Sequence, residues 1–284
     1  HGAIREVIWP LARPGLAVLT PNVRTSGGAR WNIAAVWGAA MRGKTSAKAN
    51  DPEAATKLLG AILKKRPELI LLTDDVYGTF VPGFRSLLGA FPYNTIGVYS
   101  YSKYFGCTGW RLGVIAVHED NLFDKLIAQH PEPVLKKIDK RYSALTLEPR
   151  KIRFIDRIVA DSRDVALNHT AGLSLPQQVM MLLFSAYELM DTKKHYQKAC
   201  MGIVKKRVEA TLEGLGLDIP PNELYDYYYG LIDLESWARK YVGEDVVTWM
   251  KENVHPLDFV FRLAEDHGIV LLNGSGFEAP NWSV

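Results

Sequence analysis

Pro67-Glu68-Leu69-Ile70-Leu71-Leu72-Thr73-Asp74-Asp75-Val76-Tyr77-Gly78 is the stretch on which the reading of this chain turns. Leu69 to Thr73 form a continuous apolar run that is too short for a helix, opened by Pro67 and closed by two carboxylates. Such a run predicts a strand buried on both faces. Upstream, Asp51-Pro52-Glu53 supplies a cap, a Pro for the first helical position and an acid for the first turn. Leu58, Leu59, Ile62 and Leu63 then give a helical stripe ending near Lys65. Downstream, further strands are predicted at Thr95–Ser100 and Leu112–Val117. Helices alternating with buried strands predict an α/β domain with a mostly parallel sheet flanked by helices.

The rest of the chain extends that pattern. Residues 119–165 read as a charged helical insertion. A long helix is predicted from Ser174-Leu175-Pro176-Gln177 toward Leu189, and another over Ala199–Leu215. The last 70 residues mix an aromatic, strand-like segment (Tyr225–Leu234) with helices near Glu244–Asn253 and Pro256–His267, which predicts a smaller α+β domain. The expected division is residues 1–50 as an atypical N-terminal segment, 51–175 as the large domain and 176–284 as the small one. Residues 1–43 stand apart in composition: they hold three of the seven Trp and five Arg, with no Lys, no Asp and one Glu.

Composition sets limits on function. With 284 residues, 48% hydrophobic and 23% charged, the chain can bury a real core, which excludes a disordered tail or a disulfide-stapled miniature. The net charge of +3 argues against nucleic acid or an anionic membrane as the main partner. No apolar run reaches the 18 residues or so of a membrane span. Two cysteines, Cys107 and Cys200, make no disulfide framework and suit a reducing cytoplasm. The start lacks a signal-peptide pattern and a Met, so a processed or partial chain is expected.

Three motifs compete for the lysines. Gly38-Ala39-Ala40-Met41-Arg42-Gly43-Lys44-Thr45 matches the phosphate-binding loop G-x-x-x-x-G-K-[ST], in which Lys44 would reach phosphates and Thr45 a magnesium ion. Against it, the preceding residues make a poor strand and Asp51-Pro52 interrupts the helix that should follow. Ser100-x-x-Lys103 has the spacing of serine–lysine acyl enzymes, but no K-T-G or S-D-N element follows to complete that site.

The third motif engages more residues. Asp74 ends a buried strand, where α/β sheets place ligands. The next strand leads into Ser100-Tyr101-Ser102-Lys103, and Arg111 follows eight residues later among glycines. Two hydroxyls, a lysine and an arginine suit one ligand bearing both an aldehyde and a phosphate, namely pyridoxal 5′-phosphate. Lys103 would form the Schiff base, and Arg111 would clamp the phosphate with Ser100 and Ser102. Asp74 would pair with the pyridine nitrogen, and Tyr77 would donate to the 3-oxygen of the ring. The plainer alternative makes Asp74 and Asp75 turn caps and Tyr77 a core aromatic. A Lys and an Arg ending buried strands are harder to dismiss, because unpaired buried charge is costly. No metal site is expected.

Four segments carry a family resemblance: Leu71–Val81 (LLTDDVYGTFV), Val98–Gly113 (VYSYSKYFGCTGWRLG), Val159–Gln178 (VADSRDVALNHTAGLSLPQQ) and Gly268–Val284 (GIVLLNGSGFEAPNWSV). From about Ala54 to Val284 the chain resembles the pyridoxal-phosphate enzymes of aminotransferase fold type I. Among these it is most similar to the bifunctional aspartate aminotransferase/aspartate 4-decarboxylases. The resemblance implies Lys103 as the cofactor lysine, with Asp74, Tyr77, Ser100, Ser102 and Arg111 as cofactor-binding residues. It also implies conversion of aspartate to alanine and CO2, with transamination through a common ketimine, on amino-acid and 2-oxo-acid substrates. A homodimer or larger oligomer follows from it as well, with Asn168-His169-Thr170 approaching the neighbouring subunit's site. The chain departs from the family at both ends. Asn50 is followed by Asp51-Pro52, so the family's Asn-Pro element is missing, and Val284 comes before the arginine that grips the substrate α-carboxylate. The sequence is therefore expected to be incomplete, and an inactive fragment of that family is the further alternative.

Overall fold

Asp51 caps the first helix, α1 (Pro52–Lys65), by accepting the Ala54 amide at 2.9 Å. In the computed structural model, residues 51–165, 172–218, 225–277 and 279–284 are described. The apolar stripe of α1 turns inward as its spacing requires. Leu59 and Leu63 close on Leu71, with Leu69, Leu87 and Phe91 packed around them. Leu71 belongs to β1 (Leu71–Asp74), which follows the chain reversal at Arg66–Leu69. Asn94 ties that reversal down, donating from Nδ2 to the carbonyls of Pro67 (2.9 Å) and Leu69 (3.0 Å). A one-turn helix, α2 (Leu87–Ala90), leads into β2 (Thr95–Ser100), and β3 is Gly113–Val117.

The strand order is β1-β2-β3, with β2 in the middle. β1 and β2 run parallel, with Leu71 opposite Thr95 and Asp74 opposite Val98. β3 runs antiparallel to β2, with Ser100 opposite Gly113. The described sheet is therefore mixed rather than mostly parallel. The connection from β2 to β3, residues 101–112, holds only turns and the 3-10 turn Thr108–Trp110, whereas a parallel return is usually made through an α-helical crossover. The expectation of burial on both faces also needs correction. Leu71 is 1% exposed, but Leu72 is 66% exposed and Ile115 48%, so one face has no full cover among the described residues.

The insertion is helical, as its composition suggests: α3 (Leu122–Ala128), α4 (Glu132–Tyr142) and α5 (Phe154–Val165). Asn121 caps α3 through the Asp124 amide, and Asp124 in turn accepts the Phe154 amide, joining α3 to α5. Arg150 bridges Glu132 and Asp139 on α4, and its hydrogen bonds hold both carboxyls below their ordinary range. Arg157 is buried over the Tyr142 ring and donates to the carbonyls of Ile152 and Pro149.

The chain divides into two compact units after Lys194. The long helix α6 (Leu175–Met190), read from the sequence as the start of the small domain, therefore belongs to the first unit. Its first turn anchors it there. Gln177 accepts the Ser174 amide at 2.9 Å and donates to the Trp110 carbonyl at 2.9 Å.

The second unit contains α7 (His195–Gly214), α8 (Leu234–Val242), α9 (Glu244–Asn253) and α10 (Pro256–His267). Its only β pairing among the described residues is the antiparallel bridge of Asp233 with Ser283. Residues 225–230 form no strand, although their aromatic content predicts one. Tyr227 sits at φ 54, in the left-handed region that interrupts a strand, and its ring tilts against Tyr225. No helix among the described residues is long and apolar enough to cross a membrane.

Candidate active site

The strand directions decide what meets at the carboxyl end of the sheet. β1 and β2 finish there with Asp74 and Ser100, and the antiparallel β3 begins there with Gly113. Arg111, two residues before Gly113, returns to the same end. The turn that leaves β2 carries Ser102 and Lys103. Asp74, Ser100, Ser102, Lys103 and Arg111 are thus brought to one end of one sheet, although 37 residues separate the first from the last in sequence.

Local hydrogen bonds shape this end. The Ser100 hydroxyl donates to Ser102 Oγ at 2.9 Å and accepts the Ser102 amide at 3.2 Å. The Tyr101 amide donates to the Leu112 carbonyl at 3.1 Å, which closes the connection to β3 at its base. Thr108 Oγ1 donates to the Ser102 carbonyl and the Cys107 thiol to the Tyr101 carbonyl. Lys103 is half-buried, and its carbonyl accepts the Gly106 amide, with Gly106 at φ 60 making the reversal. Arg111 adopts φ 55 and ψ 48, a left-handed conformation uncommon for a side chain of its size. Its exposed guanidinium donates to the Thr108 carbonyl at 3.3 Å.

On β1, Asp74 is exposed at the strand end and accepts the Val76 amide at 3.1 Å, so it does cap the turn that follows. Asp75 has a different task. Its side chain accepts from Thr73 Oγ1 at 2.6 Å, and its amide donates to the Val98 carbonyl, extending the parallel pairing by one bond. Tyr77 is half-buried just before the 3-10 turn Gly78–Phe80.

Several residues at this end escaped the sequence reading. Tyr101, Tyr104 and Phe105 face Phe184, Ser185 and Glu188 of α6, joined by ring contacts and two hydroxyl hydrogen bonds. The signal was present on both sides, as hydroxyl-bearing rings three residues apart and helix positions one turn apart, but nothing in sequence pairs the two. Beneath them, burial pushes the Tyr99 hydroxyl up to about 12, against the opposing effect of a hydrogen bond with Thr79. The Gly38–Thr45 loop and Asn168-His169-Thr170 lie outside the described residues.

Comparison with known proteins gives the family. The class I and II aminotransferase family profile matches residues 48–283. The chain belongs to the class I and II aminotransferases. Over 227 residues this aminotransferase chain is 47% identical to the bifunctional aspartate aminotransferase and L-aspartate beta-decarboxylase of a Pseudomonas species, a match covering 80% of the chain and 43% of that relative. The chain therefore spans less than half the length of that relative. A second match, 38% identical over 61 residues, is to an aspartate/prephenate aminotransferase of Nitrosomonas europaea, covering 19% of the chain and 15% of that protein. A 43-residue stretch is 51% identical to the sulfate-binding protein of Escherichia coli, 14% of this chain and 13% of that one. The family match begins at residue 48, after the segment of distinct composition and after Lys44.

Pyridoxal 5′-phosphate is the cofactor of this aminotransferase family. The donor set at the sheet end suits it chemically. It offers a primary amine for an aldehyde, a guanidinium and two hydroxyls for a phosphate dianion, and a carboxylate for a protonated ring nitrogen.

Proposed function

We propose that this chain carries the cofactor-bearing part of an aspartate 4-decarboxylase that also transaminates aspartate. The observation that carries the reading is the gathering of Lys103, Asp74, Ser100, Ser102 and Arg111 at one sheet end, in a chain 47% identical to a relative named for both activities.

Each residue has one task. The Lys103 amine would hold the cofactor through its aldehyde and would carry the proton at the substrate Cα. Arg111 grips the phosphate with two N–H groups, which a lysine does poorly, while the Ser100 and Ser102 hydroxyls donate to the same group. The Asp74 carboxylate holds a proton on the ring nitrogen, and the Tyr77 hydroxyl donates to the 3-oxygen. When bound, the cofactor accepts the electron pair released as a bond at Cα or Cβ breaks. Loss of the β-carboxylate as CO2, with a proton taken up at Cβ in its place, gives alanine, whereas passing the amino group to a 2-oxo acid is transamination. The family resemblance extends the proposal to a homodimer or larger assembly acting in the cytoplasm.

The experiment is an absorbance titration of the purified chain with pyridoxal phosphate, followed by assay of alanine and CO2 from aspartate. The parent protein is expected to develop the near-visible band of a lysine-bound cofactor, and Lys103→Ala to lack it. A band that persists in Lys103→Ala would show that the assignment of this lysine is wrong.

A further inference from the structure

Lys103 sits in a six-residue turn that α6 holds on both sides. On one side, the Tyr101 hydroxyl lies 2.8 Å from Ser185 Oγ, and Phe184 stacks on Phe105 with ring centroids 4.6 Å apart. On the other, the Tyr104 hydroxyl donates to Glu188 Oε2 at 2.9 Å. The second oxygen of Glu188 pairs with the Lys194 ammonium, which fixes the carboxylate orientation. Tyr104 is 2% exposed and also meets Phe80 edge-on at 6.0 Å. Phe80 closes the short turn immediately after Tyr77, on the segment that begins at Asp74. Tyr104 therefore touches both segments that bear the proposed cofactor-binding groups, and its hydroxyl donates to the Glu188 carboxylate on α6.

We infer that Glu188 is a positioning residue for Lys103, acting through Tyr104 to fix the lysine amine relative to Asp74. This rests on the reading of Lys103 as the cofactor lysine. The physical argument is that an ammonium or amine on a flexible stem delivers its proton efficiently only when its backbone anchor is held, and misplacement by about 1 Å can cost 10²-fold in rate. Taking the Glu188 acceptor from the buried Tyr104 hydroxyl weakens the hold of α6 on the turn and favours displacement of Tyr104 together with its neighbour Lys103.

The test uses the full chain with Tyr104→Phe, Glu188→Ala and Glu188→Gln. The amide carbonyl of Gln still accepts from the Tyr104 hydroxyl, so Glu188→Gln is the conservative rescue. Without cofactor, backbone amide exchange across residues 101–106 is expected to rise about tenfold or more in Tyr104→Phe and Glu188→Ala, and to stay near the parent rate in Glu188→Gln. With pyridoxal phosphate added, the first two variants should move the pH midpoint of the near-visible band. They should also lower the kcat for alanine formation by about tenfold, with KM for aspartate changed less than twofold. The Tyr104→Phe/Glu188→Ala double variant should be no worse than either single. The inference is overturned if exchange and pH midpoint match the parent in Tyr104→Phe, or if Glu188→Gln falls as far as Glu188→Ala. Should Glu188→Ala fail to fold, Tyr104→Phe alone decides. Lys103→Ala separates the two levels: a band retained there overturns the lysine assignment and this inference together. A band lost there, with Tyr104→Phe like the parent, overturns the positioning role only.

Discussion

Gly113 stands directly opposite Ser100 in the antiparallel β2–β3 pair, and this pairing returns Arg111 to the sheet end where Ser100 terminates. The return has a conformational cost. Arg111 takes φ 55 after the 3-10 turn Thr108–Trp110, a region that costs most side chains roughly 1–2 kcal/mol. Strain of this kind at a ligand-gathering end is a reason to expect function from the side chain.

Arg111→Gly should therefore separate stability from binding. Glycine adopts the left-handed region freely, so the thermal midpoint without cofactor is expected to hold or rise. Affinity for pyridoxal phosphate should fall tenfold or more, because the guanidinium is gone. Arg111→Lys keeps a charge but loses the two-pronged geometry and should fall between. Melting curves paired with cofactor titrations test both, and an affinity unchanged in Arg111→Gly would remove Arg111 from the phosphate site.

In the second unit, Gly274 leaves no room for a side chain. A Cβ there would lie 2.0 Å from Ser283 Oγ and 3.1 Å from the Ser283 carbonyl oxygen. Ser283 is buried and bound on both sides, its carbonyl accepting the Gly274 amide at 2.7 Å and its hydroxyl donating to the Pro280 carbonyl. Gly274→Ala should cost about 1–3 kcal/mol. Calorimetry should show the second unit's transition moving down by several degrees, while Gly276→Ala, where a Cβ meets open space, moves it far less.

The same contrast between local and distant causes explains what the sequence made legible. The strands stood out because continuous apolar runs bounded by Pro67 and Asp74, or by Thr95 and Ser100, have few alternatives. Asp51-Pro52, Glu244 and Pro256 marked helix starts that the structure reproduces at Pro52, Glu244 and Pro256. Strand direction was not legible, since an apolar run reads alike in either sense, so the expectation of a mostly parallel sheet did not say that β3 runs antiparallel. Tyr225–Leu234 misled because aromatic content favours strands only where the backbone stays extended, and Tyr227 does not. The meeting of Asp74, Ser100, Lys103 and Arg111 followed from strand ends. The grip of α6 on the lysine turn depends on packing between residues 84 apart and left no local trace.

Tyr99 predicts a specific alkaline weakness. Burial raises its hydroxyl to about 12 in the folded chain, whereas an unfolded tyrosine ionises near 10. Below about pH 10 both states keep the proton and the contribution is fully present. As pH rises from about 10 to about 12, the unfolded state releases its proton first, so stability is lost across that window. Tyr99→Phe should be less steep there, measured as thermal midpoints between pH 8 and 12. A parent and variant with parallel alkaline limbs would contradict the burial of this hydroxyl.

The paired carboxylates offer the sharpest test of the proposed chemistry, because Asp74 and Asp75 are neighbours with different partners. Asp74 Oδ1 accepts only a backbone amide, that of Val76, and an asparagine carbonyl can accept it equally. Asp74→Asn should therefore leave the turn and the thermal midpoint nearly unchanged. What asparagine cannot do is hold a proton on the ring nitrogen by charge. The rate of alanine formation should then fall by about 10²–10³-fold, the scale of one lost electrostatic partner in a preorganised site. Asp75→Asn keeps an acceptor for Thr73 Oγ1 and the backbone bond to Val98, and should stay within a few-fold of the parent. Steady-state rates for the two variants, measured at saturating pyridoxal phosphate, discriminate. Equal losses in both would mean that the pair acts through the strand end as a whole, and the ring-nitrogen role of Asp74 would fail.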